Sequence, residues 1–172
     1  MLVEFIWPEC ENPELCQEMS KSSAGILLYR HKNNLLEVLL VHPGGPFWKN
    51  KDQGAWTIPK GEPGKDEPLL SAAIREFQEE TGIPVTGNFI ELNPVRQKSG
   101  KWVHGWAFEK DIDETQIKSN HFEMEWPMRS GKFQSFPEID RAGWYSIEAA
   151  KEKINPAQIP LLEQLHQFLT GK

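Results

Sequence analysis

The sequence predicts an α/β (α+β) fold in which helices cover the faces of a mixed β-sheet. Three observations lead to this class. Two short apolar runs near the start have strand composition, a central run has helical spacing, and further strand-like runs precede a final amphipathic segment. A length of 172 residues is typical of a single domain that buries a substantial core.

The composition excludes several classes of protein. With 38% hydrophobic and 26% charged residues the chain is typical of a soluble globular protein, and no apolar run is long enough to span a bilayer. A formal net charge of -6 argues against the broad basic surface that binds a nucleic-acid polymer. We therefore expect a small-molecule partner, without a nucleic-acid polymer or a membrane, and the oligomeric state is open.

The first residues differ in composition from the rest, so we divide the chain into an N-terminal extension, 1–20, and one domain, 21–172. The apolar run at the start is short, is interrupted by Glu4 and lacks a basic flank, which is unlike a signal or transit peptide. Two interpretations are open. Either the segment packs on the domain, or the natural chain begins at Met19.

Cysteine usage indicates a reducing compartment. Cys10 and Cys16 are too few for a disulfide scaffold and lack the spacing of a zinc site. A cytoplasmic location is therefore expected.

The first half of the domain predicts a hairpin, a loop and a strand. The runs AGILLYR (24–30) and LEVLLVH (36–42) are rich in strand formers and are separated by the turn-prone HKNN. The next segment, HPGGPFWKNKDQG (42–54), is dense in glycine and proline and predicts a loop of the kind that carries function. A short strand is expected at AWTIP (55–59).

A helix is predicted from Glu67, because apolar residues then recur at intervals of three and four. They are Leu69, Leu70, Ala73, Ile74 and Phe77. Asp66 is the expected N-cap and Pro68 suits the first turn. Gly82, followed by Pro84, ends the helix.

The second half predicts two paired strands and two helices. NFIELNPVRQ (88–97) and KWVHGWAFEKDI (101–112) should pair across a turn at Ser99-Gly100, and most of 121–143 is expected to be irregular. AGWYSI (142–147) predicts a last strand that leads through Ser146 into a helix ending near residue 154. A final amphipathic helix starts at Asn155-Pro156 and carries Ile159, Leu162, Leu165 and Leu169.

The central helix carries three glutamates, Glu76, Glu79 and Glu80, at spacings where like charges repel. They occupy an arc centred roughly 90° from the middle of the apolar stripe, so they lie on its flank. Carboxylates at i, i+3 and i+4 converge, and hard cations such as Mg²⁺ take oxygen ligands from carboxylates and substrate phosphates. A divalent-metal site is the interpretation that we follow. The alternative, a purely structural acidic face, predicts that neutral replacements at Glu79 and Glu80 leave ion binding unchanged.

Neighbouring residues suit such a site. Arg75 precedes Glu79 by four residues and can hold its carboxylate by an ion pair. The segment IPKGEPGK (58–65) supplies Lys60 and glycines that allow close backbone approach to a ligand. It lacks the spacing of a phosphate-binding Walker loop.

Residues 61–83 resemble a complete Nudix box, G-x5-E-x7-R-E-U-x-E-E-x-G-U. Gly61, Glu67 and Arg75 match the first fixed positions, and Phe77 at the first apolar position is a mild variation. On these residues the chain is identified as a member of the Nudix hydrolase superfamily, with a looser resemblance over 24–154. The resemblance implies a Nudix-type α/β/α sandwich in which the box forms a loop-helix-loop beside the mixed sheet.

The resemblance also implies an activity and a set of roles. The expected reaction is Mg²⁺- or Mn²⁺-dependent hydrolysis of the phosphoric anhydride in a nucleoside diphosphate linked to another group. By position, the metal ligands would be the Gly61 carbonyl and the carboxylates of Glu76, Glu79 and Glu80, with Glu67 and Arg75 orienting them. Relatives place the general base in the box, here Glu76, or in a loop before the last strand. In that loop Glu138 is the first candidate and Glu125 the second.

The substrate is less defined. WTIPKGE (56–62) resembles the branch that includes asymmetric dinucleoside tetraphosphate hydrolases, whereas HPGGPFW (42–48) departs from it and is expected to line the entrance. Lys60 or Arg129 could contact phosphate and His42 could touch the substrate. Phe47, Trp48, Trp126 or Phe133 could stack on a base. Each of these side chains has an alternative role in packing or as a surface residue.

The leading hypothesis is a Mg²⁺-dependent pyrophosphohydrolase acting on nucleoside polyphosphates, including dinucleoside tetraphosphates. A second enzymatic reading is a nucleoside triphosphate or nucleotide-sugar pyrophosphatase. A third is a nucleotide-sensing Nudix module that does not turn over its ligand. The intact glutamates argue against a sensor, which has no need of hydrolytic carboxylates.

Overall fold

The computed structural model describes residues 22–171. The predictions on the segment 1–20, on Met19 and on the two cysteines fall outside the described residues. The cytoplasmic location that rests on those cysteines stays a prediction. Within residues 22–171, no helix is both long and apolar enough to span a membrane.

The described residues form nine strands and three α-helices. The strands are β1 (Ser22–Lys32), β2 (Leu35–Pro43), β3 (Lys60–Gly61), β4 (Ile90–Glu91), β5 (Val95–Arg96), β6 (Trp102–Glu109), β7 (His121–Glu125), β8 (Phe133–Pro137) and β9 (Ile139–Ser146). The helices are α1 (Leu69–Thr81), α2 (Ile147–Lys153) and α3 (Ile159–Thr170), with single 3₁₀ turns at Glu114–Gln116 and Pro156–Gln158.

The main sheet is mixed, with strand order β4-β6-β1-β2-β9, while β3 pairs with β1 and β5 pairs with β6. The central pair, β1 and β6, is parallel from Ser22 opposite Trp102 to Tyr29 opposite Glu109. The other pairs of this sheet are antiparallel. The predicted β1–β2 hairpin is confirmed, and Asn33 and Asn34 form its turn with φ of 51° and 63°.

Side chains alternate across the sheet and build one core on each face. On one face Ile26, Leu28 and Leu39 pack against Ala73 and Phe77 of α1. On the other face the opposite side of β1 and β2 packs against α2 and α3. Residues of that second core include Leu27, Val38, Leu40, Ala150, Leu161, Leu162 and Leu165. The predicted α/β/α arrangement is confirmed.

The helical predictions hold, with differences at their ends. α1 begins at Leu69 with Pro68 as N-cap, and Asp66, which has φ of 60°, does not cap it. Gly82 ends α1 in the left-handed region, as predicted. Ser146 caps α2 by accepting from the Ala149 N–H.

Two strand predictions are wrong. AWTIP forms two isolated bridges, Val41 with Thr57 and Trp56 with Ile154, because this segment crosses between β2 and the end of α2 without running along either. The supposedly irregular segment 121–143 contains the antiparallel hairpin β7–β8. Along β7 the polar residues His121, Glu123 and Glu125 alternate with Phe122 and Met124, so one face of the strand is polar. This alternation indicates a half-exposed strand.

Candidate active site

Helix α1 presents its glutamates closer to the core than the sequence indicated. Ala72, Ala73, Phe77 and Thr81 are buried, whereas Leu70 and Ile74 are only partly buried. The buried face is therefore rotated by roughly 45° from the predicted stripe. As a result Glu76 and Glu80 lie at the edge of the buried face, beside β3. The Glu79 side chain keeps 47% of its accessible surface.

Glu80 is the most deeply placed of the three carboxylates. Its Oε2 atom accepts a hydrogen bond from the Lys60 backbone N–H at 2.9 Å. Burial raises the pKa of Glu80 to about 8, helped by the Glu76 and Glu138 carboxylates and opposed by the Lys60 charge and this hydrogen bond. An ionised Glu80 therefore needs a cation beside it.

Glu76 lies directly against Gly61. A Cβ atom on Gly61 would overlap the Glu76 carboxylate, so only glycine allows this approach without rearrangement. Burial raises the pKa of Glu76. Arg75 opposes the rise, and the charges of Glu79 and Glu138 add to it. Gly61, the first residue of the box, is thus in direct contact with Glu76.

Arg75 connects the remaining box carboxylates. Its guanidinium donates to both oxygens of Glu67, from Nε at 2.9 Å and Nη2 at 2.8 Å. Nη1 donates to Glu76 at 2.8 Å and to Glu79 at 3.0 Å. The predicted pairing with Glu79 is confirmed, and the contacts with Glu67 and Glu76 make Arg75 a planar brace for all three carboxylates.

Glu67 fastens the loop before α1. Its Oε2 also accepts from the Gly64 N–H at 2.7 Å. The Arg75 guanidinium and this N–H lower the pKa of Glu67 to about 2. Glu67 is therefore ionised at neutral pH and holds the loop and the helix together through Arg75.

The chemistry of this donor set suits a hard divalent cation. Glu76 and Glu80 are partly buried carboxylates with raised pKa values, and the Glu76 charge adds to the shift of Glu80. A cation such as Mg²⁺ favours the ionised form of both. Among residues 22–171 no three His, Asp or Glu side chains already stand at metal-ligating spacing. Glu79 instead extends to Arg75, so the predicted convergence of all three glutamates does not occur in this structure.

Lys60 is adjacent to the same carboxylates. Burial lowers the pKa of Lys60, and the nearby Lys101 charge lowers it further, while Glu80, Glu62 and Glu76 oppose the shift. Lys101 itself donates to Glu62 at 2.7 Å. Lys60 therefore lies at the inner edge of the site, beside Glu80 and Glu76.

Glu138 reaches the site from the link between β8 and β9. Its carboxylate is close enough to raise the pKa of both Glu76 and Glu80. Its backbone is fixed by two hydrogen bonds, from its N–H to the Asn120 carbonyl at 2.8 Å and from the Gly44 N–H to its carbonyl at 2.9 Å. Glu125, the second candidate, instead accepts from the Gly131 N–H at 2.6 Å at the tip of the hairpin.

The aromatic candidates lie on the loop 42–54 and on β7–β8. The Phe47 and Trp126 rings meet edge to face at 5.5 Å and join the two segments. Phe47 is 50% exposed and Trp48 39% exposed, and the Lys51 ammonium lies 4.7 Å from the centre of the Trp48 ring. Phe133 is 70% exposed, and its cross-strand pairing with Glu125 puts it on the other face of the hairpin from Trp126.

One substrate-binding candidate is inaccessible to a ligand, and another is exposed. His42 is fully buried, and its Nδ1 and Nε2 atoms contact Asp140 and the Lys51 carbonyl at 2.6 and 2.7 Å. No ring nitrogen of His42 is left for a substrate. Arg129 is exposed in the β7–β8 turn with φ of 62°, and it makes no ion pair with any residue in 22–171.

Sequence reasoning missed the residues around Glu138. Asn120 accepts from the Glu138 N–H, Ser119 accepts from the neighbouring Ile139 N–H, and Asp140 contacts His42; only the folded chain brings these residues together. The Gly-Gly pair at 44–45 was the one available signal, because close backbone contact needs glycine. An open groove of about 690 Å³ adjoins the site on the outer side of α1. It is lined by Ser71, Ile74, Arg75, Gln78, Glu79, Gly82, Lys118 and Asn120.

Helix α1 carries the acidic residues of the box and packs against a mixed sheet. The family comparison agrees with this arrangement. The model of the NUDIX domain matches residues 19–165, so the chain belongs to the Nudix family.

Two groups of relatives share about a third of their aligned residues with this chain. An mRNA-decapping protein of African swine fever virus (isolate Warthog/Namibia) is 34% identical over 97 residues, covering 56% of this chain and 39% of the relative. The chain thus spans about two-fifths of the length of these viral relatives. The asymmetrical bis(5'-nucleosyl)-tetraphosphatase of Rattus norvegicus is 31% identical over 122 residues, covering 63% of this chain and 79% of the relative.

Solved structures agree on the fold. A C. elegans Ap4A hydrolase binary complex superposes with a TM-score of 0.61 at 23% identity, covering 87% of this chain and 99% of the other. The NUDIX domain of Shewanella oneidensis NrtR, solved with ADP ribose, gives a TM-score of 0.59 at 18% identity, covering 87% and 88%. At these identities the likeness concerns the fold alone.

Proposed function

We propose that this protein is a Mg²⁺-dependent pyrophosphohydrolase that cleaves a nucleoside diphosphate linked to another group, with dinucleoside tetraphosphates as the leading substrates. The observation that carries the proposal is the contact between Gly61 and Glu76, which lies near the partly buried Glu80, is held by Arg75 and is faced by Glu138. A purely structural role for this helix would not account for two partly buried carboxylates whose pKa values are raised.

The roles combine the positions in the box with the contacts. Glu76, Glu79, Glu80 and the Gly61 carbonyl would hold the cation, with Mn²⁺ as a substitute, and Glu79 would have to turn from Arg75 to join them. When bound, the ion supplies positive charge to the phosphate oxygens and lowers the pKa of a bound water. Arg75 and Glu67 keep the loop and helix in register. Lys60 offers a further positive charge to a distal phosphate.

Glu138 is the better candidate for the general base. Glu76 already accepts from Arg75 through Oε1 and lies against Gly61. Glu138 belongs to an exposed link, and its carboxylate accepts no hydrogen bond from residues 22–171. It is therefore free to take a proton from the attacking water.

The aromatic loop supports a nucleotide substrate. Phe47 and Trp48 expose ring faces three and four residues beyond Gly44, whose N–H contacts the Glu138 carbonyl. A nucleobase stacked there would be held near Glu138, the candidate general base. The rat relative is by name a bis(5'-nucleosyl)-tetraphosphatase, which favours dinucleoside tetraphosphates for this chain.

A second candidate is the capped end of an RNA, favoured by the similarity to viral mRNA-decapping proteins. A cap is also a nucleoside diphosphate linked to another group, so the same carboxylates would serve. The net charge of -6 counts against extensive contacts with the RNA body.

A panel assay tests the proposal. The protein is incubated with Mg²⁺ and dinucleoside tetraphosphate, nucleoside triphosphates, nucleotide sugars or a capped oligonucleotide, and products are identified by mass spectrometry. We expect dinucleoside tetraphosphate to yield a nucleoside triphosphate and a monophosphate, and EDTA to stop the reaction. Glu80→Gln serves as the inactive control. If no compound is cleaved while one raises the melting temperature, the protein is a nucleotide sensor and the proposal fails.

A further inference from the structure

We infer that His42, Asp140 and Gly44 form a clamp, centred on the buried His42 ring, that positions Glu138 for the hydrolytic reaction. This inference rests on the proposed function and adds positioning residues that lie outside the Nudix box. The clamp joins the start of the loop 42–54 to the start of β9.

The first observation is an irregularity where β2 pairs with β9. His42 is opposite Arg141, but Pro43 is opposite Ile139, so Asp140 is an extra residue without a partner. An extra residue of this kind bends its strand and redirects the neighbouring side chains. Glu138 directly precedes Ile139, so the bulge lies two residues from the candidate base.

His42 fixes this bulge from the inside. Its Nδ1 atom donates to Asp140 at 2.6 Å, and its Nε2 atom lies 2.7 Å from the Lys51 carbonyl and 2.9 Å from Nη2 of Arg141. The ring is fully buried and packs edge to face on Trp56 at 5.3 Å. One imidazole therefore contacts both Asp140 and the Lys51 carbonyl, which belongs to the second half of the loop.

Backbone contacts fix Glu138 itself. The Gly44 N–H donates to the Glu138 carbonyl at 2.9 Å, and the Glu138 N–H donates to the Asn120 carbonyl at 2.8 Å. The next N–H, that of Ile139, donates to Ser119 Oγ at 2.8 Å. A Cβ on Gly44 would overlap the Pro137 carbonyl, so glycine is needed for this contact. Only the side-chain torsions of Glu138 are left free.

This arrangement does more than stabilise a loop. A catalytic group must be held close to its productive position, and a displacement of about 1 Å can cost roughly 100-fold in rate. Glu138 is exposed and has no hydrogen-bond partner for its carboxylate within residues 22–171, so its position depends on its backbone. The clamp supplies that constraint.

The test compares Asp140→Ala, Asp140→Asn, Glu138→Gln and the double variant Asp140→Ala with Glu138→Gln. We expect Asp140→Ala to lower kcat toward the Glu138→Gln value, roughly 10- to 100-fold, with KM changed less than about 2-fold. Asp140→Asn keeps an oxygen acceptor for His42 and should recover part of the rate. The double variant should be no slower than Glu138→Gln, because both changes remove the same contribution.

Asp111→Ala is the matched control. Asp111 is also an aspartate in an ion pair, with Arg30 at 2.8 Å, and its side chain is more exposed than that of Asp140. Arg30 lies five residues along β1 from Gly25, which pairs with Lys60 of the site, roughly 17 Å away. This variant should keep kcat and KM. Amide exchange at Glu138 and Ile139 reports the clamp directly and should speed up in Asp140→Ala alone.

Several outcomes would overturn the inference. One is faster amide exchange with an unchanged kcat, and another is a double variant whose losses multiply. If Glu138→Gln turns over normally while Glu80→Gln is inactive, Glu138 is not the base; the clamp inference then fails while the proposed hydrolase stands. If the wild-type protein cleaves nothing in the panel, the proposed function fails first and the inference fails with it.

Discussion

The two halves of the candidate site are assembled in different ways. The box half, 61–82, joins residues that are close in sequence through side-chain ion pairs, chiefly those of Arg75 with Glu67 and Glu79. The loop half holds Glu138 through backbone hydrogen bonds and close contacts between segments up to 98 residues apart, such as His42 and Asp140. The box half therefore follows from a local sequence pattern, whereas the loop half depends on the whole fold.

Breaking the box half should have the largest effect. Glu80→Gln removes a buried carboxylate beside Lys60 and should lower kcat on the order of 10²–10³-fold, because charge stabilisation at the phosphate is lost. Initial rates with Mg²⁺ would measure this. Glu109→Gln, an exposed glutamate paired with His31, is the control and should keep its activity. A nearly normal rate in Glu80→Gln would contradict the assignment of Glu80 to the metal.

Arg75→Lys should have the next largest effect. A lysine keeps the charge but cannot donate to both Glu67 oxygens and also to Glu76 and Glu79. We expect the Mg²⁺ concentration for half-maximal activity to rise roughly 10- to 100-fold. Mg²⁺ titration of the rate measures the change. An unchanged titration would show that the brace does not orient the ligands.

In the loop half, Phe47→Ala should raise KM for a dinucleoside tetraphosphate with little change in kcat. Loss of stacking on one base is worth about 1–3 kcal/mol, which is roughly 5- to 150-fold. Phe168→Ala, an aromatic on α3 that is 63% exposed, is the matched control. Equal KM values for the two variants would exclude Phe47 as a base contact.

The smallest expected effect is on stability and depends on pH. Because the pKa of Glu80 is about 8 in the folded protein and its ordinary value is 4.5, the unfolded chain releases this proton first as pH rises. The metal-free wild type should therefore lose stability from about pH 5 to pH 8. Glu80→Gln should escape this loss. Its melting temperature should exceed that of the wild type by a few degrees at pH 8 and by less at pH 5. Calorimetry in EDTA at pH 5 and pH 8 measures this difference in melting temperature and tests its direction.

The same contrast explains what the sequence could predict. The box helix, its Gly82 end and the Arg75–Glu79 pair follow from local spacing. The rotation of α1, which buries Ala72 and Thr81 and brings Glu80 beside Lys60, depends on how the helix packs on the sheet and has no local signal. The β7–β8 hairpin was missed because its strands are half polar and its turn is long. The burial of His42 depends on Asp140, a partner far along the chain.

The parallel pairing of β1 with β6 has a consequence for synthesis of the chain. On a ribosome, β1, β2 and the box helix emerge well before Trp102–Glu109, which must lie beside Ser22–Tyr29. Until β6 has been synthesised, the backbone edge of β1 that pairs with β6 has no neighbouring strand. Pairings of such large sequence separation close slowly. We expect refolding to be slowed more by changes in β6, such as Val103→Ala, than by changes in the local β1–β2 turn.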